Sequence, residues 1–396
     1  MPDPESPPLP PANAPGGALT GQLLGGRYRV GALLGAGAMG CVYRAEHVDL
    51  GRPCAVKVIR ADAAGRGGYV AALARFRVEA LAGARLDHPN VLRVLDFGRE
   101  PGGGPCYLVC EHLGGRDLAD VLSAEGRLPE ARAARIGAQI AAALQHAHDR
   151  GVIHRDLKPA NVRIVRRSRD EGGDAEEVKL LDFGTALIEG VPVSDGSVIG
   201  TPAYMSPEQL TAGPLDRRSD LYALGVVLFE LVTGHVPFEQ ASVTALALAH
   251  VQTPPPRPSA FAGPLDPELE AVILACLRKL PGDRPADARA VRETLERVAH
   301  RARIRGTRAP REALPSLPVP SRPRRRLPIA ALAGAAAVVG VWIAIVAELG
   351  TSGTSPEPIE VRLGSAARRL PDAGATEVAR VAPEADAGAP SERAQP

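Results

Sequence analysis

The sequence lacks the cysteine spacings that are typical of disulfide frameworks and zinc sites. It has five cysteines, an odd number, and no C-x-x-C motif. Cys106 and Cys110 stand four positions apart, which is a weak metal signal without further ligands nearby. A disulfide-stabilised secreted domain is therefore disfavoured, and we expect buried free thiols in a reducing compartment. The cysteines are Cys41, Cys54, Cys106, Cys110 and Cys276.

The sequence also lacks a strong net charge and an apolar run near its beginning. Lys and Arg total 47 against 45 for Asp and Glu, so the net charge is only +2 and implies no nucleic-acid partner. Residues 1–20 contain no apolar core run, so we expect no N-terminal signal peptide. The length of 396 residues suits one large domain with appendages.

The first twenty-six residues are rich in proline, alanine and glycine. Such a composition buries too little apolar surface to offset the entropy lost on ordering. We expect residues 1–26 to form a disordered tail. The paired prolines Pro7-Pro8 and Pro10-Pro11 leave open a second interpretation, a ligand for a proline-binding partner.

The most specific motif is the stretch His154-Arg155-Asp156-Leu157-Lys158-Pro159-Ala160-Asn161, followed by Asp182-Phe183-Gly184. H-R-D-L-x-x-x-N is the catalytic-loop pattern of protein kinases. Over residues 27–300 the chain resembles the eukaryotic-type (Hanks-type) serine/threonine kinases of bacteria. The resemblance implies an α+β, bilobal fold. Its small lobe would hold an antiparallel sheet with one helix, αC, and its large lobe would be mainly helical.

Phosphoryl transfer asks for these residue types, because the protein chiefly positions groups and neutralises charge. By resemblance, Asp156 orients the substrate hydroxyl and accepts its proton, and Lys158 offsets charge on the transferred phosphate. Asn161 and Asp182 offer hard oxygen ligands, which suit Mg²⁺, with Mn²⁺ as an alternative. The expected nucleotide is ATP, and the expected partners are protein substrates.

A G-x-G-x-x-G pattern follows the first predicted strand. Alone it is a weak signal that would also fit a dinucleotide fold, but that fold needs a helix after the glycines. Residues 41–45 indicate a returning strand instead, so the glycines lie at a hairpin where the backbone can approach phosphates closely. The resemblance assigns nucleotide contacts to Leu34, Gly35, Ala36, Gly37, Ala38, Met39, Gly40, Val42 and Ala55, with Val42 against the adenine.

One lysine, Lys57, interrupts the apolar strand at residues 55–59. An exposed strand lysine is the plain alternative, but the spacing after the glycine hairpin matches the phosphate-binding lysine of kinases. Glu79 lies on a segment with helical apolar spacing and is the candidate carboxylate partner on αC. Farther on, the resemblance makes Cys110 the gatekeeper. It also places the Glu111 and Leu113 backbones on adenine and Asp117 on the ribose.

Thr185 to Glu208 would be the activation segment. Thr201 would bridge Asp156 and Lys158, and the Gly-Thr-Pro sequence around it indicates Ser/Thr rather than Tyr specificity. Ser206 departs mildly from the A-P-E pattern, and Glu208 is expected to pair with Arg284. We also expect autophosphorylation within the segment, at Ser197 in preference to Ser194, with Arg155 as a phosphate partner. Plain solvated serines are the alternative.

Two further segments of the large lobe can be interpreted from pattern alone. Residues 220–231 are apolar on nearly all sides, as expected of a fully buried helix, and Asp220 at their start would bond the catalytic-loop backbone. Residues 166–177 are polar and contain glycine, so we expect a solvated loop insertion there.

The chain beyond residue 300 changes character. Residues 301–326 hold nine arginines and one acid, and we expect a basic linker. Residues 327–347 follow with twenty-one uncharged residues, about 32 Å as a helix against a hydrocarbon core of about 30 Å. We predict one transmembrane helix here, with membrane lipid as a partner. Ala336 and Gly340 hint weakly at a homodimer through helix pairing.

Arg324-Arg325-Arg326 directly precede the span, so the kinase side is expected in the cytoplasm and the protein in the cell membrane as a single-pass protein. Residues 348–396 contain no aromatic residue and are expected to be a disordered tail outside. Two alternatives stay open. One is a pseudokinase or scaffold without turnover. The other is a ligand-sensing receptor in place of a kinase merely tethered to the membrane.

Overall fold

The computed structural model describes residues 19–37, 40–59, 65–101, 104–168, 174–189 and 200–308. The chain divides into two compact units, Met1–Glu312 and Ala313–Pro396, and the described residues all belong to the first. The positions of Ala38, Met39, Ser194 and Ser197, and all residues after 308, lie outside the described ranges.

The small lobe, residues 19–111, is a six-stranded antiparallel sheet with one long helix. The strands run in the spatial order β1-β2-β3-β4-β6-β5, and the helix α1 follows β4 in sequence. The elements are β1 Leu23–Leu24, β2 Tyr28–Gly37, β3 Gly40–His47, β4 Arg52–Ile59, α1 Gly65–Arg85, β5 Val94–Arg99 and β6 Cys106–Glu111.

The side chains of β4 alternate between the apolar core on one face of the sheet and the opposite face. Cys54, Val56 and Val58 are buried in the apolar cluster on one face of the sheet. The intervening residues Ala55 and Lys57 lie on the opposite face, because successive strand side chains point to opposite sides. Lys57 is therefore directed toward α1 and the space between the lobes.

The predicted disordered tail is wrong for residues 19–26. Leu23–Leu24 form β1 and pair with β2, and Leu19 and Leu24 are buried in the outer core of the sheet. The physical reason is that these leucines, unlike the proline-rich residues before them, supply an apolar edge that the sheet can bury. The earlier part of the predicted tail lies outside the described ranges.

The large lobe, residues 116–308, is mainly helical, so the predicted bilobal α+β kinase fold is confirmed. Small sheets pair β10-β9-β7 and β11-β8. The elements are β7 Arg116–Asp117, α2 Leu118–Glu125, α3 Glu130–His148, β8 Val152–Ile153, β9 Val162–Ser168, β10 Asp174–Leu180, β11 Leu187–Ile188, α4 Pro207–Leu210, α5 Arg217–Thr233, α6 Val243–Gln252, α7 Ser259–Ala262, α8 Pro267–Cys276 and α9 Ala288–Arg308.

The core of this lobe forms around α5, the helix that contains the apolar run at 220–231. Its side chains are buried on nearly every side, as the absence of a polar stripe predicts. Helix α3 packs beside it through a buried stripe that includes Ile136, Ile140 and Leu144. All five cysteines are free and buried, in agreement with the prediction.

Two predicted boundaries need correction. The solvated loop insertion predicted at 166–177 is wrong for residues 166–168 and 174–177, because β9 and β10 pair there, from Val162–Leu180 to Ser168–Asp174, whereas residues 169–173 lie outside the described ranges. The basic linker does not begin at residue 301, because α9 continues to Arg308 and Arg301 pairs with Asp266 and Glu268. Two acidic partners that are distant in sequence thus hold Arg301, the first residue of the predicted linker, in the fold.

None of the helices within the described ranges is both long enough and apolar enough to cross a bilayer. The predicted span at 327–347 lies outside those ranges and stays a prediction.

A buried ion pair links two segments of the large lobe that are distant in sequence. Arg284 donates from Nη1 and Nη2 to the two carboxylate oxygens of Glu208, at 2.7 and 2.8 Å. The hydroxyl of Ser219 donates to the same carboxylate at 2.6 Å. Burial would raise the pKa of Glu208, but the hydrogen bonds and charge of Arg284 lower it, so the carboxyl stays ionised. The expected Glu208–Arg284 contact is present.

We predict that Arg284→Met destabilises the fold by about 3–5 kcal/mol, because it leaves the Glu208 carboxylate buried without its cation. Arg297→Met, which breaks the exposed Arg297–Glu268 pair, is the control and should cost at most about 1 kcal/mol. Urea unfolding of both variants measures the difference. Equal destabilisation would show that the buried pair has no special weight.

Candidate active site

The predicted catalytic loop runs from the end of β8 to the short 3₁₀ helix at residues 159–161, and a buried carboxylate fixes its start. Asp220, on α5, accepts from the backbone N–H groups of His154 and Arg155, each at 2.9 Å. His148 Nε2 reaches the same carboxylate at 2.8 Å. Arg155 has a φ of +69°, which a residue with a Cβ adopts only under constraint. The Asp220 contacts predicted for the loop backbone are present.

Asp156 lies at the centre of a dense hydrogen-bond network. Lys158 Nζ donates to Oδ2 at 2.7 Å, and Thr201 donates to Oδ1 from its backbone N–H at 3.1 Å. Lys158 Nζ also donates to Thr201 Oγ1 at 2.7 Å, so the predicted bridge by Thr201 exists in the structure. Asn161 Nδ2 donates to the Asp156 backbone carbonyl at 2.8 Å. An acid, an amine and a hydroxyl thus meet within one hydrogen-bond shell.

A second cluster of charged side chains contains residues from both lobes. Lys57 Nζ lies 2.6 Å from Glu79 Oε2 on α1 and 3.6 Å from Asp182 Oδ1 in the large lobe. Burial alone would lower the pKa of Lys57, but the two carboxylates raise it, so the amine stays charged. Burial would likewise raise the pKa of Asp182, but Lys57 and the Gly184 N–H lower it. The structure therefore brings Lys57, Glu79 and Asp182 together, as the resemblance to kinases implies.

Asn161 and Asp182 fit a hard divalent cation by their chemistry. The Asn161 amide nitrogen is used by Asp156, which leaves its carbonyl oxygen as the ligand atom. The pKa of Asp182 is lowered, so its carboxylate is ionised, and its side chain is 38% exposed. Carboxylate and amide oxygens are the ligands that Mg²⁺ prefers. Within the described residues, no cluster of three or more His, Cys, Asp or Glu side chains is placed to hold a metal ion.

The glycine-rich segment is a hairpin and not the start of a helix. Gly37 at the end of β2 pairs with Gly40 at the start of β3. A Cβ at Gly40 would stand only 2.1 Å from the backbone oxygen of Val58, so this position requires glycine. The dinucleotide-fold alternative is thereby removed. Leu34, Gly35 and Ala36 lie in the exposed outer part of β2.

The predicted adenine-facing residues share one face of the sheet. Val42 pairs directly with Lys57, and Ala55 pairs directly with Cys110. Residues 55 and 57 are two apart on β4, so all four side chains point to the same side. Burial raises the pKa of Cys110, so its thiol is neutral and acts as a small apolar wall.

The residues predicted to contact the adenine at the hinge and the ribose lie at the end of β6 and directly after it. Glu111 ends β6, Leu113 is half-buried, and Asp117 lies in β7. Asp117 Oδ1 accepts from Arg163 Nη1 at 2.9 Å, so its carboxylate is already paired with a cation from β9. A ribose hydroxyl would share this carboxylate with Arg163.

Two residues of the site were missed from the sequence. Lys179, on β10, donates to Glu111 Oε1 at 2.8 Å and ties the hinge to the large lobe. A lysine inside the apolar run Val178–Leu181 was the available signal, since an isolated buried lysine needs a carboxylate. Gln209 donates from Nε2 to the Arg155 carbonyl at 2.8 Å. Its signal was the S-x-x-Q pattern from Ser206, a capping box that reveals the helix start but not the distant partner.

Comparison with known proteins indicates the same family as the fold and the site described above. The sequence matches the protein kinase domain family over residues 28–296, and the chain belongs to the protein kinase family. It is 42% identical over 301 residues to serine/threonine-protein kinase pkn3 of Myxococcus xanthus, covering 74% of this chain and 53% of that protein. It is 40% identical to serine/threonine-protein kinase PksC of Streptomyces coelicolor, covering 70% and 50%. It is 37% identical to serine/threonine-protein kinase PrkC of Bacillus subtilis, covering 66% and 39%.

The matched part of this chain thus spans about half of these relatives' lengths or less. All three are bacterial proteins named as serine/threonine kinases, so the resemblance seen in the motifs extends to the whole kinase domain.

Proposed function

We propose that the chain is an active serine/threonine protein kinase that transfers the γ-phosphoryl group of ATP to hydroxyls of protein substrates. The observation that carries the proposal is the Asp156–Lys158–Thr201 network, with distances of 2.7 Å from Lys158 to both partners. The Lys57–Glu79 pair completes the charged set on the other side of the cleft. A pseudokinase is disfavoured because each chemical position is filled by a residue of the required type.

The chain's residues divide the work of the transfer. Asp156 would orient the attacking hydroxyl and accept its proton, as its carboxylate is already aligned by Lys158 and Thr201. Lys158 would neutralise charge that develops on the phosphoryl oxygens. Lys57, kept charged and immobile by Glu79, would hold the α- and β-phosphates. Asn161 and Asp182 would hold the divalent cation, which supplies further charge neutralisation when bound.

Specificity for serine and threonine follows from Thr201. Its hydroxyl is fixed between Lys158 and Asp156, at 2.7 and 3.3 Å, so it occupies space directly beside the proposed base. A short aliphatic hydroxyl can enter such a space more readily than the long phenol of tyrosine. The relatives' names point to the same substrate class.

We expect Asp156→Asn to lower the transfer rate by about 10²–10⁴-fold, because the amide cannot accept the proton. Lys57→Met and Asp182→Asn should each lower it by at least about 10²-fold through lost charge neutralisation. The measurement is transfer from labelled ATP to a generic protein substrate. Asp149→Asn, an exposed aspartate just before the loop, is the matched control and should match the wild type. Transfer by folded Asp156→Asn within tenfold of the wild type would contradict the assignment.

Autophosphorylation of the activation segment is part of the proposal. Within the described ranges, Arg155 Nε is buried and has no hydrogen-bond partner, which supports a role for this guanidinium in binding an added anion. A phosphoserine brings about −1.5 to −2 charges and can order a loop through such a pair. We place the modification at Ser197 in preference to Ser194.

Protein produced alone should carry phosphate at Ser197, and Ser197→Ala should be less active than Ser194→Ala, because only the first loses the charge paired with Arg155. Mass spectrometry and the transfer assay measure both effects. The inactive Asp156→Asn protein is the control for foreign kinases and should be unmodified. Fully active wild-type protein with both serines unmodified would refute this step.

Attachment to the cell membrane is the second part of the proposal. It is supported by the uncharged residues 327–347, for which the nine leucine, isoleucine and valine side chains give about −4 kcal/mol on the insertion scale. The arginines at 324–326 favour a cytoplasmic kinase domain and an outer C-terminal tail.

The full chain, expressed in bacteria, should remain in the membrane fraction after alkaline washing, since an inserted helix is not held by charge alone. Deletion of residues 327–347 should release it to the soluble fraction. Deletion of residues 348–396 is the control and should leave it in the membrane. Recovery of the intact chain in the soluble fraction would refute the membrane assignment and leave the kinase assignment untouched.

A further inference from the structure

Gln209 connects the end of the activation segment to the peptide bond directly before the proposed base. Its Nε2 donates to the Arg155 carbonyl oxygen at 2.8 Å, across 54 positions of sequence. Gln209 as a whole residue is only 7% exposed, so water competes little for this bond. That carbonyl belongs to the peptide that links Arg155 to Asp156.

The orientation of the Gln209 amide is determined by Ser206. Its Oε1 accepts from the Ser206 backbone N–H at 3.0 Å and from the Ser206 hydroxyl at 3.1 Å. Since a carbonyl oxygen accepts and an amide nitrogen only donates, Nε2 must be the atom that faces Arg155. Ser206 is fully buried and caps α4, so the amide is held by a rigid support.

The same peptide plane is held at its other end. The Asp156 N–H donates to His154 Nδ1 at 3.3 Å, and His154 Nε2 lies 3.0 Å from the Leu181 carbonyl. Because the carbonyl of Leu181 can only accept, Nε2 carries the proton and Nδ1 is left to accept. A peptide bond is planar, so fixing its oxygen and its N–H fixes its orientation.

This fixation acts next to a strained residue. Arg155 has a φ of +69°, and its own N–H is bound by Asp220. With Asp220 on one side of Arg155 and Gln209 on the other, both peptides that flank it are held by side chains. Relaxation of φ at Arg155 would rotate the Asp156 backbone and move its carboxylate away from Lys158 and Thr201.

We infer that Gln209 is a positioning residue for the proposed phosphoryl transfer, acting through the Arg155–Asp156 peptide on the orientation of the Asp156 carboxylate. The inference rests on the proposed kinase function for its rate effect, but not for its structural effect. The Ser206 backbone N–H, which an alanine at this position would keep, orients the glutamine through Oε1.

The test compares Gln209→Met, Gln209→Glu and Ser206→Ala in the full chain. Gln209→Met removes the donor and should lower kcat between about tenfold and about 10²-fold by misplacement of Asp156, with KM for ATP within about twofold of wild type. Ser206→Ala removes the cap hydroxyl but keeps the bond to Arg155. It should lower the melting temperature while kcat stays near that of the wild type.

Gln209→Glu separates positioning from packing. An ionised carboxylate cannot donate to the Arg155 carbonyl, but a protonated one can. Burial favours the protonated form, so the activity relative to wild type should recover at least about threefold between pH 8 and pH 6. Gln209→Met has no such group and should show no recovery. A pH profile of Gln209→Glu parallel to that of Gln209→Met would overturn the inference.

Hydrogen exchange gives a readout that does not require activity. Gln209→Met should speed exchange of the amides at residues 154–158, and Ser206→Ala should leave them protected. If the wild type transfers phosphate and the Gln209 variants keep its kcat, the inference is wrong while the kinase function stands. If the wild type is inactive, the kinase function fails, and unchanged exchange at 154–158 in Gln209→Met would overturn the inference separately.

Discussion

The site depends on one buried carboxylate, that of Asp220. Burial would raise its pKa, but the hydrogen bonds from His148 and from the Arg155 backbone N–H lower it, so it remains an anion inside the large lobe. It accepts from two consecutive backbone N–H groups of the catalytic loop. Charge-assisted hydrogen bonds contribute about 1.5–3 kcal/mol each, whereas a left-handed residue costs about 1–2 kcal/mol. The anion therefore outweighs the strain at Arg155.

This arrangement explains why the most completely buried helix within the described ranges carries an acid in its first turn. Helix α5 supplies the rigid core, and Asp220 in its first turn carries that rigidity to the loop. Glu208 lies at the end of the activation segment, where Arg284 and the Ser219 hydroxyl donate to its carboxylate and hold that segment in place. Two buried anions at one end of α5 thus fix two separate chain segments near the proposed base. The position of the Asp156 carboxylate depends on both of these anions.

Much of this could be predicted from sequence, and the limits are physical. The loop 154–161, Lys57 and the helix around Glu79 carry local spacing that reveals their roles, and the structure places them together. The extent of elements was less predictable. Leu23, Leu24 and Arg301 are held by distant partners, which no local pattern displays. Lys179 and Gln209 were missed for the same reason, since each is explained only by a residue far away in the sequence.

The position of α1 is coupled to the chemistry through charge. Lys57 is mostly buried and has carboxylates from both lobes, Glu79 at 2.6 Å and Asp182 at 3.6 Å. If α1 moved outward, it would carry Glu79 away, and the buried Lys57 ammonium would lose its nearer anion, which costs several kcal/mol. The conformation described here avoids that cost, because it keeps α1 against the sheet. The cleft is therefore arranged for catalysis by the same ion pair that stabilises the small lobe.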